Sequence, residues 1–309
     1  MPSHLEALAQ RVEALLLLLV VGVGAVGVAV PGPARTIDAA GAIDPTLAVL
    51  VLTAGMTVDV SGMRQVRRRW ARVATTLAAT WLVLPALAWG VSHLVAGPLH
   101  DGVLAVGVAP SEVASLGLVA MAGGEAAVSA LLLLGSSILT VFAGGPVLAL
   151  LSGDASVHPG GLTATLGLVV ALPLALGVVL RWMVASAPMV LGVGRLLSVL
   201  ALLVLLWEVA GEVELRARSL GVVAAMVLFI AGAAVLGRLL TIGLPTTARS
   251  GVLLPVTMRD FAVAAGLASS AFGARAVGPL GIYGLLVLLT GVIAVHSPVA
   301  DHAPCVQET

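Results

Sequence analysis

Apolar residues run almost unbroken for stretches of about 20 positions along this chain, each ended by a short polar or glycine-proline break. Ten such runs stand out: Ala14–Val30, Ile43–Val58, Val73–Val95, Gly102–Ala122, Ala126–Leu151, Gly161–Met183, Gly192–Gly211, Ser219–Ile242, Arg249–Phe272 and Val277–Val295. Each is long enough to span most of the roughly 30 Å hydrocarbon layer as a helix. The pattern predicts an all-α integral membrane protein of about ten transmembrane helices in a lipid bilayer. Short connections leave no room for an extramembrane domain.

Composition sharpens this picture. Of the 309 residues, 60% are hydrophobic and 10% charged, with a mean hydropathy of +1.16; soluble domains carry roughly 25% charged residues. Formal net charge is zero and every basic residue is arginine, which argues against nucleic-acid binding because that needs a basic face. A sole cysteine, Cys305, excludes a disulfide framework and a cysteine-rich metal site. With no His/Glu metal-ligand spacing and no phosphate-binding loop, neither a bound metal nor an ATP-driven pump is expected. An enzyme acting on lipid would need an interfacial nucleophile or metal cluster, and none is present. The first run is read as a retained helix because no clear cleavage site follows it before Pro31.

Arginines set the orientation. Arg64, Arg67, Arg68, Arg69 and Arg72 crowd one linker, which should be cytoplasmic, and with ten crossings both termini lie inside the cell membrane. Arg35, Arg216, Arg218 and Arg275 then fall outside.

Two runs carry polar residues at their middles. The fourth holds Pro110, Ser111 and Glu112, and the ninth holds Pro255, Thr257, Arg259 and Asp260. Proline removes a helical hydrogen bond, lipid offers no partner for the freed groups, and ionisable side chains at that depth are costly. The three charged residues are therefore expected to share one wet cavity. Pro255 lies 145 positions after Pro110, each in the fourth run of its half. Halves with an odd number of crossings insert in opposite senses, so residues 1–153 and 154–296 read as inverted repeats, followed by a cytoplasmic tail at 297–309. Paired broken helices point to the binding site of a secondary transporter.

Glu112 reads either as a counter-ion for Arg259 or as a carrier of protons or substrate contacts. Arg259 suits a carboxylate, its own or a substrate's. Asp260 points away from Arg259 on a helix. Ser115 and Ser129 could bond their own helices or a ligand, and Ser136, Ser137 and Thr140 read the same way. Glu208, Glu212, Glu214, Arg216 and Arg218 read as a solvated ion-pair patch.

The stretches Ala109-Pro-Ser-Glu-Val-Ala-Ser115, Ala122-Gly-Gly-Glu125 with Ser129, and Leu254-Pro-Val-Thr-Met-Arg-Asp-Phe-Ala-Val-Ala264 resemble the bile acid:sodium symporter family and its wider superfamily of arsenite-efflux and related carriers. That resemblance implies ten helices. A core domain would contain two crossed discontinuous helices, a panel domain would comprise helices one, two, six and seven, and the substrate would bind between them. It also implies sodium coordination by the serines matched by Ser115 and Ser129, beside matched Pro110, Ala114 and Met258. The family's other sodium ligands fall on Leu116, Leu133, Pro255 and Arg259, with Asp260 in place of an asparagine. A guanidinium where a cation would sit repels sodium.

The sequence thus points to a secondary transporter for a small organic anion. Arg259, Glu112, Ser111, Thr257 and Asp260 are its substrate-binding candidates. Glu112, Ser115, Ser129, Asp260 and Met258 are its ion-coupling candidates, and Pro110 and Pro255 its helix breaks. The coupling ion is sodium or a proton, with dependence on pH expected to exceed that on sodium. No other cofactor is expected. The alternatives are a metalloid-efflux carrier and an inactive scaffold.

Overall fold

The computed structural model describes residues 16–39, 41–57, 70–154, 157–184, 188–213 and 219–296. The Arg64–Arg69 cluster, Glu214, Arg216, Arg218 and the tail with Cys305 lie outside them. Among the described residues the protein is helical throughout, and the only strand-like pairing is one isolated bridge.

In chain order the helices are α1 (Leu16–Ala29), α2 (Pro31–Ala39), α3 (Ile43–Thr57), α4 (Trp70–Ser92), α5 (Pro98–Val108) and α6 (Ala114–Met121). Then come α7 (Ala126–Leu139), α8 (Gly145–Ser152), α9 (Pro159–Leu166), α10 (Leu172–Met183) and α11 (Pro188–Gly211). The last four are α12 (Ser219–Leu240), α13 (Thr246–Thr257), α14 (Phe261–Phe272) and α15 (Gly278–His296). A π-turn at Thr140–Gly144 joins α7 to α8, and another at Gly167–Ala171 joins α9 to α10. Each precedes a proline, Pro146 or Pro173, whose missing N–H loosens the regular ladder.

Six helices among the described residues are long and apolar enough to cross a membrane, or seven if α1 and α2, bent by 91°, count as one span. Of the ten expected spans, two of them discontinuous, six or seven are thus long and apolar enough among the described residues. The run from Ile43 yields 15 helical residues, about 22 Å of helix. The two proline-bearing runs divide into α5 plus α6 and α13 plus α14. The first run also turns at Val30 because Pro31 starts a new, more polar helix.

Packing divides the helices into two groups. In one, α3 lies against α10 and α11, and α11 against α1. In the other, α4 packs on α5, α12 on α13, α5 on α14 and α13 on α7. Contacts of α11 with α15 and of α3 with α14 join the groups.

Small residues set the closest approach in the first group. A Cβ on Gly55 would lie 2.5 Å from the Leu174 carbonyl oxygen, and a Cβ on Gly177 would collide with the Leu52 carbonyl. Backbone cannot step aside as a side chain can, and such close helix contacts are what small residues permit in membranes. Gly177→Val is therefore expected to destabilise the protein by about 1–3 kcal/mol, read as a lower midpoint of thermal unfolding in detergent. Gly167→Val, where a Cβ meets open space, is the control.

Glu208 departs from the solvated patch expected of it. It lies within α11 and is buried, because helix α11 extends past it to Gly211. Glu212 does pair at the surface, its carboxylate 3.6 Å from Arg35 of α2, whose Nε also donates to the Gly211 carbonyl at 3.0 Å.

Candidate functional site

The two broken helices cross at their breaks. Residues 109–113 separate α5 from α6, and residues 258–260 separate α13 from α14. Ala109 and Met258 are extended there, so the chains meet as a miniature antiparallel bridge between Ser111 and Arg259. The Glu112 N–H donates to the Met258 carbonyl at 2.9 Å, and the Asp260 N–H donates to the Pro110 carbonyl at 2.8 Å. Each break thus supplies the hydrogen-bond partners that the other break needs and lipid cannot provide.

Neighbouring helices satisfy three more backbone groups. The Ser111 N–H donates to Ser136 Oγ at 3.0 Å, the Thr140 hydroxyl donates to the Val108 carbonyl at 2.9 Å, and the Arg259 N–H donates to the Tyr283 hydroxyl oxygen at 3.0 Å. Ser136 and Thr140 therefore serve the neighbouring break. Ser136 also donates to Leu133 in its own helix, and Ser137 bonds only Leu133 in that helix.

Pro110 sits in the first break itself, but Pro255 lies inside α13. The helix runs through Pro255 and ends two positions later, at Thr257, since a proline near a helix end loses one internal bond without stopping the chain. The second break is thus carried by Met258–Asp260 rather than by its proline.

The crossing gathers the charged residues as the spacing suggests, without the ion pair that is one of the two readings of Glu112. Glu112 and Arg259 are each about 1% exposed, yet their carboxylate and guanidinium form no ion pair. Glu112 instead faces two helix starts. Its Oε1 accepts from the Ala114 N–H and its Oε2 from the Phe261 N–H, both at 3.4 Å. Asp260 caps α14, its Oδ1 accepting from the Ala262 and Val263 N–H groups at 2.9 and 3.0 Å. Both carboxylates thus meet the positive ends of half-helices. The Arg259 guanidinium turns the other way and donates to the Ala109 carbonyl, at the negative end of α5.

Four buried polar atoms near these helices have no hydrogen-bond partner: Ser115 Oγ, Ser129 Oγ, Thr257 Oγ1 and Arg259 Nε. Their carriers lie on α6, α7, α13 and the second break, and α13 packs against both α6 and α7. Unsatisfied buried groups are rare and mark places where water or a ligand completes the shell. Ser111 and Met258 are also buried, within the bridge. A narrow crevice of about 10 Å³, room for a single water, lies where α3, α9 and α14 meet, lined by Asp44 and Leu47 of α3, Leu162, Thr165 and Leu166 of α9, Val169, and Gly266, Leu267 and Ser270 of α14. Among the described residues no cluster of His, Cys, Asp and Glu could hold a metal ion.

Two features were missed in the sequence. Tyr283 gives no signal there, because a single tyrosine in an apolar helix reads as packing. Glu208 is masked by its proximity to the charged loop that follows it.

A many-spanned helical bundle centred on two interrupted helices that complete each other's backbone is a multi-pass membrane protein of the transport class. A model of the sodium bile acid symporter family matches residues 44–222, more than half of the chain. The chain belongs to that family, whose members are transporters rather than enzymes. The match covers the first break and ends before the second. No curated protein matches the sequence.

Proposed function

We propose that the protein is a secondary transporter that moves a small organic anion across the cell membrane by alternating access, with the proton as its coupling ion. The observation that carries this reading is the crossing itself: a buried Glu112 carboxyl suspended between the starts of two half-helices with no cation paired to it. In this reading Glu112 loads and releases the proton. Ser111, Ser115, Ser129, Thr257 and the free Nε of Arg259 offer polar contacts to the cargo. The apolar crevice beside α14 widens to receive its hydrocarbon part as the two helix groups rock, which exposes the crossing to alternate sides. Met258 contributes its carbonyl to the crossing, and Asp260 acts as the cap of α14.

Ten crossings in two inverted halves, 1–153 and 154–296, belong to the same proposal, with the short α3 and the two broken pairs completing the count. Both termini lie in the cytoplasm in this arrangement. The arginine distribution and the pairing of the breaks support it.

The test is uptake into proteoliposomes of a conjugated bile acid and a set of smaller carboxylates, with pH and sodium gradients imposed separately. The expected result is anion accumulation driven by the pH gradient and unchanged when choline replaces sodium. Accumulation only with sodium would reject proton coupling. Transport of arsenite with no response to any carboxylate would favour a metalloid carrier, and no transport at all an inactive scaffold.

A further inference from the structure

We infer that the Arg259 guanidinium is a tethered cation that takes the place of a mobile sodium ion at the helix crossing, so that the protein binds no sodium there. This deepens the transporter reading by naming what has replaced the coupling ion implied by the family's name.

A sodium ion at a helix break is held by carbonyl oxygens freed where the helix stops and by nearby carboxylates. Here four of the carbonyls at the crossing already accept a hydrogen bond. The Val108 carbonyl accepts from Thr140, the Pro110 carbonyl from the Asp260 N–H, and the Met258 carbonyl from the Glu112 N–H. The Ala109 carbonyl, which ends α5, accepts from the Arg259 guanidinium itself. Asp260 and Glu112 are turned onto backbone N–H groups of the half-helix starts.

The guanidinium has the properties of a resident ion. It is about 1% exposed, and no carboxylate comes within ion-pairing distance of it among the described residues. Its charge is met mainly by the carbonyl end of α5, where a helix terminus carries partial negative charge. Arginine keeps its charge in a protein interior, so the position stays cationic through every state of the cycle. A second cation at the same crossing would meet that fixed charge at short range. The Ser115 and Ser129 hydroxyls, unpartnered as they are, bring two neutral oxygens and no charge to offset the repulsion.

The experiment uses the full-length protein in detergent and compares thermal midpoints in sodium chloride and choline chloride at equal ionic strength. Wild type is expected to give the same midpoint in both salts. Arg259→Gln, which removes the charge and keeps a polar side chain, is expected to melt lower in choline and to rise by about 5 °C in sodium, as for a ligand well above its dissociation constant. Arg259→Lys should remain indifferent to the choice of salt. A sodium-specific rise in wild type, or an Arg259→Gln protein insensitive to sodium, overturns the inference. Equilibrium binding of radioactive sodium to wild type decides the matter if Arg259→Gln cannot be purified: saturable binding overturns it, and none supports it. No transported solute enters these measurements, so failure of the transport assay and failure of this inference are separate results.

Discussion

Asp260→Ala is expected to destabilise the protein by about 2–6 kcal/mol, since it leaves two buried N–H groups without an acceptor and each costs about 1–3 kcal/mol. Those groups are the Ala262 and Val263 amides, which share Asp260 Oδ1 at the start of α14. Water cannot replace the carboxylate readily, because the whole of Phe261–Ala268 is buried. Asp260→Asn is the control. It keeps the acceptor oxygen and loses only the charge against the helix end, worth about 0.3–1 kcal/mol in exposed helices and up to about 2 kcal/mol where partly buried. Thermal midpoints in detergent should therefore rank wild type, Asp260→Asn and Asp260→Ala in that order, with the larger gap before alanine. The backbone bond from the Asp260 N–H to the Pro110 carbonyl is present in all three proteins, so the series reports on the side chain alone. Equal losses for both variants would make charge, and not capping, the stabilising contribution.

The membrane class and the positions of both breaks were legible because each has a one-dimensional signature. Twenty-residue apolar runs fix the class, and charged residues in mid-run mark the breaks at Glu112 and at Arg259-Asp260. What those residues do was less legible, because it depends on which groups the second chain segment delivers. Sequence alone left two readings of Glu112 open, a salt bridge to Arg259 or a group that handles protons or substrate. In the structure the backbone has the stronger claim: the carboxylate serves two helix starts and the guanidinium one helix end. The same competition explains Ser136 and Thr140. A serine or threonine in a helix usually bonds its own preceding turn, and Ser137 does so. Ser136 and Thr140 face a break with orphaned peptide groups, and those partners, distant in sequence, also claim them. Tyr283 was invisible for a related reason, since its role follows only from the arrival of the Arg259 amide 24 positions away.

Glu112→Gln is expected to abolish accumulation driven by a pH gradient while leaving exchange of cargo across the membrane in place. With one proton moved per anion, a gradient of one pH unit sustains about a tenfold accumulation in wild type, and the glutamine variant should reach none. The substitution suits the question because glutamine keeps an oxygen that can still accept from Ala114 or Phe261, whose N–H groups hold the native carboxylate at 3.4 Å. The crossing is otherwise tied together by backbone bonds that the side chain does not make. Loss of the proton site therefore separates coupling from binding: counterflow into vesicles preloaded with cargo continues, and net uphill movement stops. Asp260→Asn should retain pH-driven accumulation, because its carboxylate is committed to the start of α14. If Glu112→Gln still concentrates its cargo in response to pH, the proton travels through another group, and the buried Glu208 of α11 becomes the next residue to replace.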